Sequence, residues 1–254
     1  MSFSKDVACI IAEYLAKYEL LDWIDVNKLL WRGVSINPNA IDLLKANPDK
    51  IDWIELCVNT SAIDLLISNP DRINWRALSR NSAALDLLVA NPDRIDWTWL
   101  SGNNAAIELL KSNPDNISWD DLSGNTAAIE LLTANQDKIN WTELSMNTSA
   151  IDLLKSNQDK INWEWLSLNP TAIDLLVANP DKICWRVLSS NPAATELLIA
   201  NLDKIDNRWV SRNIAMMDLL KANPDKINWY YLSKNPAIFE FKRDPKLIEK
   251  LLEI

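Results

Sequence analysis

The chain contains no histidine and, in 254 residues, only three glycines and three cysteines. Without histidine the commonest general base is excluded, as are the imidazole ligand of most zinc sites and every nucleophile paired with an imidazole. Gly33, Gly102 and Gly124 stand apart, so no glycine-rich phosphate loop is present. Cys9, Cys57 and Cys184 are also far apart and lack metal-ligand spacing. An odd count suits a reducing compartment better than a disulfide framework, and packing roles are expected. No apolar run approaches the ~18 residues of a membrane span, and the N-terminus lacks a basic stretch leading into an apolar core. The expected location is therefore intracellular, neither secreted nor transmembrane. A formal charge of −9 argues against a general nucleic-acid or membrane-surface binder, which needs net positive charge.

What the chain has in excess is tryptophan, thirteen in all. Trp31, Trp53, Trp75, Trp97, Trp119, Trp141, Trp163, Trp185 and Trp229 recur every 22 residues, with Asn207 filling the one missing step. A row of asparagines from Asn37 to Asn235 keeps the same register six residues later. Written from the tryptophan, the consensus is W-x-x-L-S-x-N-x-x-A-I-[DE]-L-L-x-[AS]-N-[PQ]-D-[KR]-I-[ND]. A period of this length marks a stack of short units, because one such unit buries too little to offset its chain entropy.

The second half of each copy, as in Asn169-Pro170 through Asn179, opens with an N-capping asparagine and a proline suited to the first helical turn. A helix of about two turns is expected, with Ala172, Ile173, Leu175 and Leu176 on one face and Asp174 opposite. In the first half, Asn47-Pro48-Asp49 reads best as a turn, after which Asp52 caps a short helix beginning at Trp53. That frame puts Trp53 and Leu56 toward the core and gathers the three positions that vary most between copies on the opposite side. A strand reading fails because β-branched residues are few and the Ala-Ile-Asp-Leu-Leu spacing is helical.

The expected fold is all-α: a solenoid of ten stacked 22-residue two-helix repeats with N- and C-terminal capping helices. It forms a single elongated repeat domain over 1–254, with a cap at 1–30, repeats at 31–241 and a closing helix at 242–254. Residues 4 to about 21 carry apolar side chains at helical spacing, and Asp244-Pro245 starts the last helix. With both ends closed the array is expected to be complete and, at ~8–10 Å per layer, on the order of 80–100 Å long.

Three rows could carry function. The acidic row, Asp42, Asp64, Asp86, Glu108, Glu130, Asp152, Asp174, Glu196 and Asp218, reads as a solvated face, since catalysis needs one distinct constellation rather than nine equal ones. The basic row, Lys50, Arg72, Arg94, Lys138, Lys160, Lys182, Lys204 and Lys226, reads as solubilising charge paired with neighbouring aspartates. The variable face is the best candidate, because copies that must stack alike can differ only where they do not touch. It carries Trp99, Trp165, Tyr230, Tyr231, Arg76, Arg80, Arg212 and Lys234, the residue types that anchor interfaces. Trp99 and Trp165 read equally as exposed anchors or as packing residues half buried between layers. Trp209 belongs there too by position, but a packing role in place of the missing tryptophan at 207 is expected of it.

The segment Asn223 through Glu240, N-P-D-K-I-N-W-x-x-L-S-x-N-P-A-I-F-E, resembles the short Trp-containing tandem repeats of giant DNA viruses, over roughly residues 31–241. The resemblance implies a viral origin and a repeat architecture, and carries no functional residues across. The expected function is a non-enzymatic protein–protein interaction scaffold without catalytic residues, cofactor or metal, holding an unidentified protein partner. The alternatives are a structural virion or assembly component and, more remotely, a carboxylate-based enzyme or metal-binding protein.

Overall fold

The computed structural model of the protein describes residues 17–242. Each copy begins with a short helix at the tryptophan, for example Trp53–Leu56 and Trp75–Ser79. The residue before the tryptophan caps it: the Asp52 carboxylate accepts from the backbone N–H of Ile54 and Glu55, both at 3.1 Å. Next comes a 3₁₀ turn in most copies, such as Pro170–Ala172, and then a second helix, Ile173–Val177. The expected two-turn helix is thus divided. Its break is at the alanine, where Ala172 lies at φ −99°, ψ 6° with no exposure at all. A final 3₁₀ turn, such as Pro180–Lys182, leads into the next copy.

The core is one continuous band. Fully buried leucines of the Trp helix (Leu56, Leu78, Leu100, Leu122) alternate with those of the second helix (Leu66, Leu88, Leu110, Leu132), with buried alanines between them. Each such leucine contributes ~1.5–3 kcal/mol by burial.

Two sets of polar rungs join the copies. The asparagine six residues after each tryptophan accepts through Oδ1 from the N–H two residues on, as Asn125 does from Ala127 at 2.9 Å. Through Nδ2 it donates to two carbonyls of the preceding copy, those of Ser101 (2.9 Å) and Asn103 (3.0 Å). The serine of the Trp helix accepts through Oγ from the N–H seventeen residues later, as Ser123 does from Asn140 at 2.9 Å. Among the described residues no buried side-chain nitrogen or oxygen lacks a partner. Capping was legible in these asparagines, but the ladder they build between copies was not.

The expectation of an elongated rod is corrected by the ends. Asn37 of the first copy donates to the carbonyls of Ser233 (3.3 Å) and Asn235 (3.0 Å) of the tenth. Ser233 Oγ accepts from Leu30 N–H at 2.9 Å, and Lys28 lies over the Trp229 ring at 5.2 Å. These are the same rungs that join consecutive copies, with the first copy standing where an eleventh would stand. The array closes on itself as a ring.

The second helix of the tenth copy is replaced by a two-stranded antiparallel sheet of β1 (Lys17–Leu20) and β2 (Phe239–Lys242), with Leu20 opposite Phe239. Residues 17–20, expected at the end of a capping helix, are therefore a strand. Residues 21–30 of the expected N-terminal cap hold only a 3₁₀ turn at Val26–Lys28, and residues 1–16 and 243–254 of the two expected caps lie outside the described residues. The physical reason for closure lies in the spacing of the two layers. Trp helices of neighbouring copies, and the Asn-initiated turns after them, pack closely on one another, whereas the second helices lie far less close to their counterparts. In a closed array, like elements are separated in proportion to their distance from the axis. The Trp helices thus form the inner circle and the second helices the rim.

Candidate interaction surface

With its core face turned outward, each Trp helix presents its first, second and fifth residues after the tryptophan to the middle of the ring. These are the variable positions. The wall they make is uneven, and its groups fall into three arcs.

The first arc belongs to copies eight to ten. Half-buried Trp209 stacks on Tyr231 at 6.3 Å and 21°. Arg186 and Arg212 stand over its ring at 5.7 and 5.8 Å. Tyr230 meets Tyr231 edge-on at 5.1 Å, and Lys234 lies 4.6 Å over the Tyr230 ring while donating to its hydroxyl at 3.1 Å. Arg32 of the first copy continues this arc, hydrogen-bonded to Glu55 at 2.7 Å. That bond, more than any other contact, raises the guanidinium's pKa above its ordinary value.

Five copies away, across the ring, Arg76 and Arg80 stand 5.5 and 5.7 Å over the ring of Trp99. Arg76 also lies 3.6 Å from the Asp96 carboxylate. Between these two basic-aromatic groups lies an acidic arc of Asp120, Asp121, Glu143 and Glu164. A depression of about 210 Å³ is lined there by Arg80, Asp120, Asp121, Asn140 and Glu143. Trp165, half-buried at the edge of this arc, has neither a stacked ring nor a cation over it among the described residues.

The structure therefore brings Tyr230, Tyr231, Arg212 and Lys234 together, and Arg76, Arg80 and Trp99 together, and leaves Trp165 apart. Trp209 is a correction: it does not fill the place of the missing tryptophan but anchors the larger cluster. Its register, two residues after position 207 as Trp99 is after Trp97, was the signal for this.

The other rows lie elsewhere. Acidic-row residues such as Asp42 and Asp174 are exposed in the first turn of the rim helices, and no group of His, Cys, Asp or Glu able to hold a metal occurs among the described residues. The basic row covers indoles: Lys50, Lys138, Lys160 and Lys204 lie 4.3–4.7 Å over Trp31, Trp119, Trp141 and Trp185. Cation–π contact with the tryptophan nineteen residues earlier, rather than pairing with aspartates, is the main role of these four. Among the described residues no helix is long and apolar enough to cross a membrane. Comparison with protein families, with curated proteins and with solved structures found no match.

Proposed function

We propose that the ring is a non-enzymatic protein–protein interaction scaffold that holds a segment of a partner protein against its inner wall. The observation that carries this reading is the Arg186–Trp209–Arg212–Tyr231 stack on the variable side of the inner helices. Aromatic rings sandwiched by arginines are pre-ordered, so little rotamer entropy is lost when a partner covers them. Ten helices at ~8–10 Å between axes make a circle roughly 26–32 Å across. Subtracting the ~10 Å girth of a helix leaves room for one extended segment or one helix. Acidic and basic arcs facing different directions favour a segment of mixed charge in one orientation. The reading assigns no catalytic residue, cofactor or metal, and disfavours nucleic acid and membrane as partners. An intracellular setting and an origin in a giant DNA virus belong to the proposal and rest on the resemblance of the repeat.

A second reading, a structural or assembly component, is supported by the rim, where Ile67, Val89, Val177 and Ile199 are 55–58% exposed at one repeat position. The test compares capture of partners by the native chain, by a Trp209→Ala/Tyr231→Ala variant, and by an Ile67→Ser/Val177→Ser rim variant, all with unchanged circular dichroism. The scaffold reading expects a partner lost only with the wall variant. Loss only with the rim variant would sink it in favour of assembly.

A further inference from the structure

In nine copies the register position that opens the Trp helix is an indole; in the ninth copy it is Asn207. The structure does not close over the missing side chain. A cavity of about 180 Å³ is left, floored by buried Val210 and Leu220, walled by Ile205 and exposed Leu202, with Asn207 and Lys226 among its polar lining. Lys226 holds the position from which Lys204, one copy earlier, lies 4.3 Å over the Trp185 ring. The floor, the walls and the cation of an indole site are present without the indole.

We infer that this cavity is a binding site for a planar aromatic group of indole size, seated on Val210 and Leu220 beneath the Lys226 ammonium. The argument comes from the chain's own repetition, because the equivalent pocket in the other copies is filled by such a ring and, in several, covered by a cation. A preformed apolar cavity of this size binds a flat aromatic without reorganising: an engineered leucine-lined cavity of ~150 Å³ takes up benzene. The ammonium adds a cation–π contribution, stronger for indole than for phenyl. Leu202 stands where the other copies have proline or glutamine, and it adds apolar wall at the one copy that lacks the ring. A more open depression of about 420 Å³ shares Leu202 and Leu219 with the cavity, so a substituent on the ring has space beside it. The ring could come from a free small aromatic or from a tryptophan side chain of another protein.

The test is calorimetric titration of the full chain with indole and, in a parallel arm, with N-acetyltryptophanamide. One-to-one binding is expected, weakened at least tenfold in Asn207→Trp, where the consensus side chain fills the cavity and the chain should fold at least as well as the native one. Lys226→Gln should weaken binding severalfold. Trp185→Asn, in a chain that keeps its circular dichroism, should raise the stoichiometry to two. Tighter binding of the amide than of indole would assign the site to a protein side chain, and the reverse order to a free small molecule. No saturable binding of either probe, or binding unchanged by Asn207→Trp, would overturn the inference. Neither result depends on the inner wall.

Discussion

The seam between the tenth copy and the first can be set beside any join inside the chain, such as that between the fourth copy and the fifth. Both use an asparagine donating to two carbonyls of the neighbour, at 3.3 and 3.0 Å for Asn37 and at 2.9 and 3.0 Å for Asn125. Both use a serine Oγ accepting a backbone N–H at 2.9 Å. Only the internal join has chain running through it, and only the seam has a strand pair. The contacts therefore carry the rotation from copy to copy, and the covalent link is not needed for it.

The largest effect is expected from the asparagines. Asn37→Ala and Asn125→Ala each lose a cap and two buried hydrogen bonds and should each cost ~2–4 kcal/mol in denaturant unfolding. They should differ in where the molecule opens. In Asn37→Ala, amide exchange should quicken first in 17–24 and 229–242, while Asn125→Ala should loosen both sides of its own join. Identical exchange patterns in the two variants would mean that the seam is no weaker than the rest.

Glycines sharpen the same contrast. A Cβ on Gly33 would meet Ser233 Cβ across the seam at 2.7 Å, while one on Gly124 meets nothing nearer than Glu143 Oε2 at 3.7 Å. Gly33→Ala should cost ~1–3 kcal/mol by forcing the seam apart. Gly124→Ala, at the last residue of the Trp119–Gly124 helix, should stabilise by up to ~1 kcal/mol. Thermal melts of the two variants shifting the same way would contradict this.

The serine rungs come next. Ser145 Oγ donates to Trp141 O at 2.7 Å and accepts from Asn162 N–H at 3.0 Å, so Ser145→Ala should cost ~1–2 kcal/mol. The smallest effect belongs to the second copy, where Cys57 Sγ takes the serine's place and accepts from Asn74 N–H at 3.3 Å. Cys57→Ser should gain no more than ~1 kcal/mol. Burial pushes the Cys57 thiol pKa up, partly offset by that N–H. The unfolded chain then loses the thiol proton first, so stability should fall as pH rises above ~8.5. Cys57→Ser should flatten that slope in melts at pH 7.5 and pH 9.5.

The period, the helix at each tryptophan, its cap at residues such as Asp52, and the variable face were legible because each rests on local rules repeated many times. Closure was not, because it depends on the difference in spacing between two layers, which no single copy determines. Lys28 was the available signal: it stands three residues before Trp31, as Lys50 does before Trp53, yet has no earlier copy in the chain to cover. Most of the aromatic and basic wall residues were named from sequence, but the acidic arc of Asp120, Asp121, Glu143 and Glu164 was not. Nor was the grouping into opposed arcs, since it follows from which copies face each other across the ring.

Tandem repeats gain and lose whole units readily when genes recombine unequally, and an open array tolerates this as a change of length. Here each unit accounts for a tenth of a full turn, so one more or one fewer leaves a gap or an overlap that every remaining join must share. The closure angle thereby sets how many copies fit. A change within one copy, such as Asn207 in place of the consensus tryptophan, leaves that angle to the other contacts of the join.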